Sequence, residues 1–569
     1  MSGVRGRSPR SETASSVCDT RQTGHVHIAL ASDSDGRVVI TPLEGTAGVQ
    51  VVSRAELPAA VVLAEAQHPR WVWDDTSRWY PPLLEAGVRV ERCVDLRLCR
   101  AILRTSELTA ASAMARAQPD GWDIPAEDEA RQDGLFAIEK GVLLDPIAEF
   151  RRQQDAALPA IALLLAAESA GALIAAEMQY AGLPWRADVH DELLTRTLGP
   201  RPAPGARPTL MEDVLAQVRR ELDVSDLNPD SPVELLKALK RAGMMVSSTS
   251  KWELARVKHP AIAPLLEYKK LARLLSANGW HWLDTNVRDG RFHPEYVPGG
   301  VVTGRWASKG GGGALQLPKL VRGAVIADPG WKLVVADASQ LEPRILAGMA
   351  ADRGMVEAGS AGDLYQGIVA SGAVATRGEA KIAMLGAMYG ATSGESGRLM
   401  PALTRAYPRA IGLVERAARA GERGEKVSTR LGRSSPLPGE RWLEAQAVAS
   451  GEVASESDQS RARSEARSWG RFTRNFVVQG TAAEWALCWM ASLRRSLHEL
   501  SGGGWVTKGA HLVFFMHDEV VVHCPADQAD AVAGAVRAAA VDAGRLLFGT
   551  LPIEFPLTVA VVDNYGQAK

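Results

Sequence analysis

The chain has 569 residues, of which 46% are hydrophobic, and it carries 65 Lys plus Arg against 66 Asp plus Glu. This length and apolar content predict a folded protein of about three or four domains and exclude a disordered chain. The balanced charge excludes a uniformly basic nucleic-acid binder, although a basic groove with acidic outer faces would give the same total.

Residues 1–24 are polar and contain no apolar signal-peptide core, so we expect a disordered tail there. The five cysteines include no CxxC pair. This pattern predicts neither a disulfide framework nor a zinc ribbon, and it favours a reducing compartment such as the bacterial cytoplasm or nucleoid.

Short apolar runs alternate with helical stretches between residues 25 and 105, which predicts an α/β unit. The predicted strands are HVHIALA, RVVITPL and WVWDD, and the stretch from Leu96 to Leu103 has helical periodicity. The polar segment QPDGWDIPAEDEARQD then predicts a loop, and from about residue 146 the chain is helical, with an Ala/Leu-rich run that ends at Gly182. Because this run contains Glu168 and Glu177, we expect a buried helix and no membrane span.

The chain continues with helices and then strands. Ser231-Pro232 marks a helix start and Gly243 its end, and another helix covers PAIAPLLEYKKLARLLSANGW. The runs WKLVVADAS and VFFMHDEVVVH predict strands, separated by a long Arg-rich helical stretch from 340 to 500. Within that stretch, ARAGERGEKVSTRLGRSSPLPGERW predicts an exposed, turn-rich excursion.

Asp337 is the first candidate site residue, because it ends the apolar strand WKLVVADAS and precedes the helix LEPRILAG. A carboxylate at a strand end is rigid yet can face a cleft, as a metal ligand should. The commoner use of such an acid is as a helix N-cap or a solvated loop residue.

The triplet His517-Asp518-Glu519 interrupts two strand-like runs and predicts a tight hairpin turn. An ordinary turn would have the same residues. Two rigid acids on neighbouring strands, however, could hold two divalent ions about 3.5–4 Å apart, which would activate a 3′-hydroxyl and stabilise leaving pyrophosphate.

Arg377, Lys381, Leu385 and Tyr389 recur every four residues, so they share one face of a helix. Arg and Lys one turn apart can grip a triphosphate, and Lys can protonate a pyrophosphate leaving group. A solvated cationic stripe is the alternative. The small residues between them indicate that the rest of the helix packs closely.

Taken in order, these motifs resemble the three signatures of family A DNA polymerases, the DNA polymerase I type. The run DASQLEPR from Asp337 resembles the first, RGEAKIAMLGAMYG the second and His517-Asp518-Glu519 the third. Thr303-Gly304-Arg305 and the run from Arg471 to Ala483 provide flanking matches. The resemblance covers residues 165–569 and implies a template-directed DNA polymerase that adds dNMP to a primer 3′-hydroxyl.

The resemblance also implies a multidomain fold with α/β and α+β parts. An RNase H-like exonuclease-type domain would precede a right-hand polymerase with thumb, palm and fingers and an antiparallel palm sheet. The implied parts are the exonuclease-like domain (25–160), the thumb and approach to the palm (161–300), the first part of the palm (301–350), the fingers (351–478) and the second part of the palm (479–569).

At the catalytic centre, the resemblance implies that Asp337, Asp518 and the carbonyl of Ala338 bind two Mg²⁺ ions, for which Mn²⁺ could substitute. Glu519 would be an auxiliary acid near the primer end, and Lys381 would assist the leaving group. Glu342 would exclude ribonucleotides. The implied nucleotide-binding residues are Arg377, Lys381, Leu385, Tyr389, Ser339, Gln340, Glu342 and Tyr365.

Primed template DNA is the implied partner, bound by a monomer with no membrane involved. The implied DNA-binding residues are Arg305, Gln316, Arg471, Asn475, Gln479 and His517. Minor-groove acceptors differ little among correct pairs, so such residues would check the shape of a base pair without its sequence. Four arginines share one helical face and could bind DNA phosphates; they are Arg463, Arg467, Arg471 and Arg474. For Arg463 and Arg467, a solvated surface position is an equally good interpretation.

The sequence departs from the family pattern at several positions. Leu385 replaces an aromatic ring beside the incoming nucleotide, and the lost stacking is worth about 1–3 kcal/mol by analogy. Ala338 replaces the usual Tyr, but the implied metal ligand there is a backbone carbonyl. Tyr365 stands where a phosphate-contacting His is expected, and the QNIP element is shortened to Gln316-Leu317-Pro318. We expect working fingers with altered substrate handling.

The N-terminal domain lacks most acids of an active 3′–5′ exonuclease. No Asp-x-Glu strand is present, since Asp33-x-Asp35 lies in a polar turn, and Trp79 aligns with the second acid. Asp155 matches the last acid, but Arg151 stands at the usual Tyr. Without its carboxylates the metal cage is incomplete. We therefore predict an inactive structural domain, no proofreading and no 5′ nuclease domain.

Alternative functions are a proofreading-competent polymerase, a non-catalytic DNA-binding homologue and a single-subunit RNA polymerase. The intact acids Asp337 and Asp518 argue against a role in binding alone, and Glu342 in the sugar-gate position favours deoxynucleotides. Both DNA replication and DNA repair are compatible with the main hypothesis.

Overall fold

The computed structural model describes residues 26–124, 144–309, 317–360, 362–391 and 394–568. The expected tail at 1–24 and Gln316 lie outside the described residues.

A five-stranded mixed sheet forms the N-terminal unit, in the order β3-β2-β1-β4-β5. Its strands are β1 (His27–Ser32), β2 (Val38–Pro42), β3 (Gln50–Val52), β4 (Arg70–Trp73) and β5 (Arg92–Asp95). β1 is antiparallel to β2 and parallel to β4, and β5 runs parallel to β4. The helices of this unit are α1 (Leu57–Glu65), α2 (Thr76–Glu85), α3 (Leu96–Thr105), α4 (Ala113–Arg116) and α5 (Pro146–Ala156).

Seven helices and two small sheets follow among the described residues. The helices are α6 (Ala162–Ala181), α7 (Ala187–Leu198), α8 (Thr209–Leu222), α9 (Pro232–Arg241), α10 (Lys251–Leu254), α11 (Ile262–Asn278) and α12 (Trp280–Asn286). The short strands are β6 (Leu183–Pro184), β7 (Val287–Arg288), β8 (Arg291–Phe292), β9 (Tyr296–Val297) and β10 (Ala307–Ser308). The start of α9 is the predicted one, because the Ser231 side chain accepts a hydrogen bond from the amide of Glu234.

Four antiparallel strands form the C-terminal sheet, in the order β12-β13-β11-β14. They are β11 (Trp331–Ala338), β12 (His511–Met516), β13 (Glu519–Pro525) and β14 (Leu557–Val562). β11 lies between β13 and β14, and its middle is buried, which explains its continuous apolar run. β14 was not predicted from the sequence; it is a half-exposed edge strand with a weak pattern.

Helices fill the chain between these strands and after β13. They are α13 (Leu341–Ala350), α14 (Arg353–Ser360), α15 (Leu364–Ala370), α16 (Arg377–Tyr389), α17 (Gly394–Ala406), α18 (Pro408–Glu422), α19 (Glu440–Ala449), α20 (Glu456–Leu500) and α21 (Ala529–Phe548). The 45-residue helix α20 packs against α6, α18 and α21 and therefore joins the parts of the molecule.

The prediction of an exposed excursion between α18 and α19 is wrong for residues 427–435. Val427, Thr429, Leu431 and Ser435 are buried there. The turn-forming sequence is real, but its polar groups have partners in the interior, including the carboxylate of Glu484.

Helix α6 is, among the described residues, the one helix that length and composition alone would allow to cross a membrane. Its two interior glutamates are paired: Glu168 with Arg433 at 2.5 Å and Glu177 with Arg494 at 2.6 Å. Burial and internal ion pairs are the properties of a core helix, which agrees with the prediction from the sequence.

A buried ionic network joins the N-terminal unit to α6 and α20. Arg494 donates to both carboxylate oxygens of Glu177 (2.6 and 2.8 Å) and to the carbonyl oxygens of Val90 and Glu91 (2.6 and 2.7 Å). The hydroxyl of Tyr80 also donates to Glu177 at 2.6 Å. Burial alone would raise the pKa of Glu177, but the neighbouring arginines lower it to about 2.

We expect Arg494→Ala to lower the free energy of unfolding by about 3–5 kcal/mol, because it leaves the Glu177 carboxylate buried without its main partner. The stabilisation should be present above about pH 4.5 and lost as the pH falls towards 2, since the folded-state pKa is the lower one. Urea unfolding followed by circular dichroism measures both effects.

The matched control is Arg495→Ala. Arg495 is the next residue of α20, is exposed and lies 3.9 Å from the exposed Glu499, so its removal should leave the urea midpoint almost unchanged. Equal midpoints for the two variants would contradict a stabilising role for the buried network.

Candidate active site

Asp337 is the last but one residue of β11 and lies in the middle of the C-terminal sheet. It is opposite Glu519 of β13 on one side and Thr558 of β14 on the other. The residues just before it are buried, whereas Asp337 is partly exposed. Pairing on both edges fixes the backbone of this acid, and its exposure leaves the carboxylate accessible.

A two-residue turn, His517-Asp518, joins β12 to β13, and Glu519 is already the first residue of β13. His517 has a φ of 59°, in the left-handed region. The carbonyl oxygen of Asp518 accepts a hydrogen bond of 2.9 Å from the amide of Ala338. This bond ties the turn to the residue after Asp337, so the two aspartates lie at the same end of neighbouring strands.

The oxygen donors at this end of the sheet fit a hard divalent cation. Two carboxylates and the carbonyl of Ala338 are the ligand types that Mg²⁺ prefers, and Mg²⁺ commonly binds through one or two carboxylates plus substrate phosphates. No group of three or more His, Cys, Asp or Glu side chains in the described part of the chain could hold a metal ion.

Glu519 is buried in a cluster that sequence reasoning missed. The Tyr565 hydroxyl donates to its carboxylate, and the guanidinium of Arg322 lies 3.3 Å away. Arg322 also stacks over the Tyr565 ring, 4.5 Å from its centroid. Burial, together with the charge of Glu519, raises the pKa of Tyr565 well above its usual range. Tyr565 and Arg322 thus fix the Glu519 carboxylate in its buried position.

Glu342, in the first turn of α13, connects two other candidate residues. Its carboxylate accepts hydrogen bonds from Arg305 at 2.6 Å and from the Tyr389 hydroxyl at 3.0 Å. Burial and the charge of Glu342 raise the pKa of Tyr389 to about 12, so the hydroxyl stays protonated and donates. Glu342 therefore links Arg305, which precedes β10, to Tyr389 at the end of α16.

Helix α16 begins with a capping box between Thr376 and Glu379. As predicted, Arg377, Lys381 and Leu385 lie on an exposed face, with small and apolar residues buried on the other side. The Arg377 side chain donates to Asp363 at 2.8 Å and lies 5.5 Å from the centroid of the buried Tyr365 ring. Tyr365 thus supports Arg377, and its ring is not itself an exposed contact.

Ser339 and Gln340 connect β11 to α13. The amide of Ser339 donates to the carbonyl of Pro556 at 3.0 Å, and Gln340 has a φ of 54°. The Gln340 side chain accepts from the amide of Leu364 at 3.0 Å. Arg344, to which the sequence assigned no role, is buried and donates to the carbonyl oxygens of Gly359 (2.9 Å) and Glu554 (3.0 Å).

The predicted DNA-binding residues of α20 lie along one side of this site. The aliphatic part of Arg471 packs against Gly390, directly after Tyr389. The side chain of Gln479 interacts with the Tyr389 hydroxyl. Asn475 has a buried amide oxygen without a hydrogen-bond partner among the described residues.

Arg474 does not belong to the predicted arginine stripe. It is buried, donates to the carbonyl of Ala387 at 2.8 Å and pairs with Glu415 at 2.5 Å. The step of three residues from Arg471 turns it towards α18, whereas Arg463 and Arg467 are exposed. The stripe therefore has three members.

His517 and Arg305 stand at one end of a cavity of about 360 Å³. Burial and the charge of Arg305 lower the pKa of His517, so its ring is neutral at physiological pH. The rest of the cavity is mainly apolar and is lined by Tyr296, Trp306, Met490 and Phe515 among others.

The comparison with known families decides the assignment. Residues 211–566 match the sequence model of DNA polymerase family A. The chain belongs to this family. The family resemblance inferred from the three motifs is thereby confirmed.

Several bacterial relatives of this family A chain are DNA polymerases I. The chain is similar to the thermostable DNA polymerase I of Thermus aquaticus (26% identical over 354 residues, 57% of this chain and 38% of that protein). It is also similar to the enzyme of Chloroflexus aurantiacus (27% over 368 residues, 58% of this chain and 35% of that protein). The matches therefore span well under half the length of these relatives.

The fold of the family A chain is also that of a solved polymerase domain. The chain matches the POL domain of Pol1 from M. smegmatis, determined in complex with DNA primer-template and dNTP, with a TM-score of 0.69 and 18% identity. The match covers 96% of both chains. It shows the fold, including the N-terminal unit, and confirms the expected combination of helical and mixed α/β parts.

We expect Gly390→Ala to destabilise this polymerase-family fold by about 1 kcal/mol more than Gly372→Ala. Both glycines have positive φ, 74° and 76°, so both substitutions strain the backbone. A Cβ at Gly390 would lie 2.8 Å from Cγ of Arg471, whereas a Cβ at Gly372 would meet nothing within 4 Å. Urea unfolding compares the variants, and equal losses would show that Arg471 is not packed on the end of α16.

Proposed function

We propose that the protein is a template-directed DNA polymerase that adds dNMP to a primer 3′-hydroxyl by two-metal nucleotidyl transfer. The observation that carries this proposal is the hydrogen bond between Ala338 and Asp518, which holds two aspartates at one end of the sheet. The exposed cationic face of α16, linked to the same place through Tyr389 and Glu342, supports it.

Asp337, Asp518 and the Ala338 carbonyl would hold two Mg²⁺ ions, for which Mn²⁺ could substitute. Such ions lower the pKa of a bound hydroxyl and neutralise developing charge on the phosphate. Glu519, held by Tyr565 and Arg322, would be the auxiliary acid near the primer end.

Residues of α16 and α13 would bind the incoming dNTP. Arg377 and Lys381 are one turn apart and exposed, so they can contact the triphosphate, and Lys381 can give a proton to pyrophosphate. Glu342 would exclude a 2′-hydroxyl, since Arg305 and Tyr389 hold its carboxylate in place. Leu385 is exposed on this face and offers an apolar contact without a stacking ring.

Primed template DNA is the proposed partner, with Arg305, Asn475, Gln479 and His517 at the end of the duplex. Arg463, Arg467 and Arg471 would contact phosphates along α20. In this proposal the C-terminal sheet is the palm, the helices from 351 to 478 are the fingers, and the helices from 161 to 300 are the thumb and its approach. One copy would act on one primed template.

The N-terminal unit is proposed to be an exonuclease-like domain without nuclease activity. Its strand β1, HIALAS, contains no acid. Asp74 is held by the indole of Trp79 (2.5 Å) and by Arg78 (3.2 Å), which also donates to Ser32 at the end of β1. The Arg78 guanidinium therefore links the end of β1 to the carboxylate of Asp74, which supports a structural role for this acid.

A reducing compartment such as the bacterial cytoplasm remains the proposed location. The cysteines in the described part of the chain are all free and buried; they are Cys93, Cys99, Cys488 and Cys524. Burial raises the pKa of each thiol, which makes them unreactive core residues.

We expect Asp337→Asn and Asp518→Asn each to reduce primer extension at least about 1,000-fold, because each removes a charged ligand of both ions. The assay is single-turnover extension of a labelled hairpin primer with Mg²⁺ and dNTPs. Asp563→Asn is the control, since Asp563 is an exposed acid just after β14, paired with Lys332 at 2.7 Å. Failure of the wild type to extend, or full activity of Asp518→Asn, would exclude the proposed reaction. Extension with ribonucleotides in place of dNTPs would favour an RNA polymerase.

We expect no degradation of a mismatched single-stranded 3′ end in the presence of Mg²⁺, because the carboxylate cage is incomplete. The measurement follows shortening of an end-labelled oligonucleotide without dNTPs. Shortening by the wild type that disappears in Asp155→Ala would establish proofreading and contradict an inactive N-terminal domain.

A further inference from the structure

The 427–435 loop is held on one side by the N-terminal unit. The Ser106 hydroxyl donates to the carbonyl of Gly432 at 2.6 Å, and the amide of Glu107 donates to the Ser434 hydroxyl at 2.8 Å. Ser428 donates to the carboxylate of Glu107. Gly432 has a φ of 103°, and a Cβ there would lie 2.5 Å from the Leu108 side chain. The two surfaces are therefore in close contact.

On its other side the same loop is anchored to α20. The amide of Leu431 donates to the buried Glu484 carboxylate at 2.9 Å, and Thr429 donates to its other oxygen. The amide of Arg430 donates to the Thr481 hydroxyl at 3.0 Å. The loop is thus clamped between the N-terminal unit and the helix that carries Gln479.

The loop also touches the backbone of two glycines beside proposed primer-binding residues. Gly304, which precedes Arg305, has a φ of 84°, and a Cβ there would lie 2.5 Å from Nε of Arg433. Gly480, which follows Gln479, has the Thr429 methyl group at 2.5 Å from its Cβ position. Arg433 itself is fixed by Glu168 of α6 at 2.5 Å. A displacement of the loop towards Gly304 and Gly480 would therefore shift the backbone of both glycines.

We propose that the N-terminal unit is a positioning element for the polymerase reaction: through the 427–435 loop it holds Arg305 and Gln479 in register with the terminal base pair of the primer. Ser106 and Ser434 are the positioning residues. This inference rests on the proposed polymerase function. It gives the N-terminal unit a role that needs none of the missing nuclease acids.

The double variant Ser106→Ala/Ser434→Ala removes two of the three serine hydroxyls that bond across the junction, leaves Ser428, and leaves every proposed substrate contact in place. Each lost hydrogen bond corresponds to roughly a 5-fold effect. We expect the KM for primed hairpin DNA to rise about 3–10-fold and the preference for a matched over a mismatched primer end to fall by a similar factor. The kcat and the KM for dNTP should stay within about twofold.

Ser112→Ala is the matched control. Ser112 caps α4 of the same unit, and its hydroxyl accepts a hydrogen bond of 3.1 Å from the amide of Ala115 within that helix. We expect its kinetics to equal those of the wild type. In an Arg305→Ala background, the double variant should have little further effect on mismatch preference, because the residue it positions is gone.

The outcomes separate this inference from the function on which it rests. If the wild type extends primers but the double variant behaves like Ser112→Ala, the positioning role is wrong and the polymerase function stands. A fall in melting temperature without a change in DNA KM or mismatch preference also contradicts it. If the wild type extends no primer, the polymerase function itself fails. Glu107→Ala changes an exposed side chain and loses only the hydrogen bond from Ser428. We expect it to change the KM for primed DNA and the mismatch preference in the same direction as the double variant, but by less.

Discussion

Pairing of β11 on both of its edges is the constraint on which the rest of the structure depends. It places Asp337 between β13 and β14, and it brings the β12–β13 turn close enough for Ala338 to donate to the carbonyl of Asp518. Two acids far apart in the chain become neighbours because of backbone hydrogen bonds alone. Their backbone positions are therefore set by the pairing of the strands.

Positive and negative side chains are distributed unevenly between the interior and the surface of this molecule. The near-neutral net charge of the whole chain therefore says little about the charge of any one face. Several arginines are largely buried against acids or carbonyl groups and do not add to the exposed cationic surface, as with Arg494, Arg433, Arg344 and Arg474. The exposed cations that remain include Arg377, Lys381 and the outer arginines of α20. A cationic face can therefore exist on one side of a chain whose charges nearly cancel.

Local patterns predicted much of the fold and part of the site. The buried strand before Asp337, the turn at Asp518 and the exposed face of α16 all follow from periodicities within about a dozen residues. Arg474 shows where this fails: a three-residue step on a helix is ambiguous until the position of α18 is known. Glu519 shows the same limit, because its burial depends on Arg322 and Tyr565, which are distant in sequence. The edge strand β14 and the buried 427–435 loop depend on neighbours in the same way.

The N-terminal unit is closely packed inside and is attached to the rest of the chain by specific contacts. Side chains of this unit pack closely around a buried acid: the buried Trp79 and the half-buried Arg78 bind Asp74. The contacts with the rest of the chain are equally specific, through Arg494 at one junction and Ser106 at the other. Both junctions end on α20, the helix that carries Gln479. The unit thus contacts α20 directly through Arg494 and indirectly through the 427–435 loop, so a rotation or sliding of α20 would disturb both sets of hydrogen bonds.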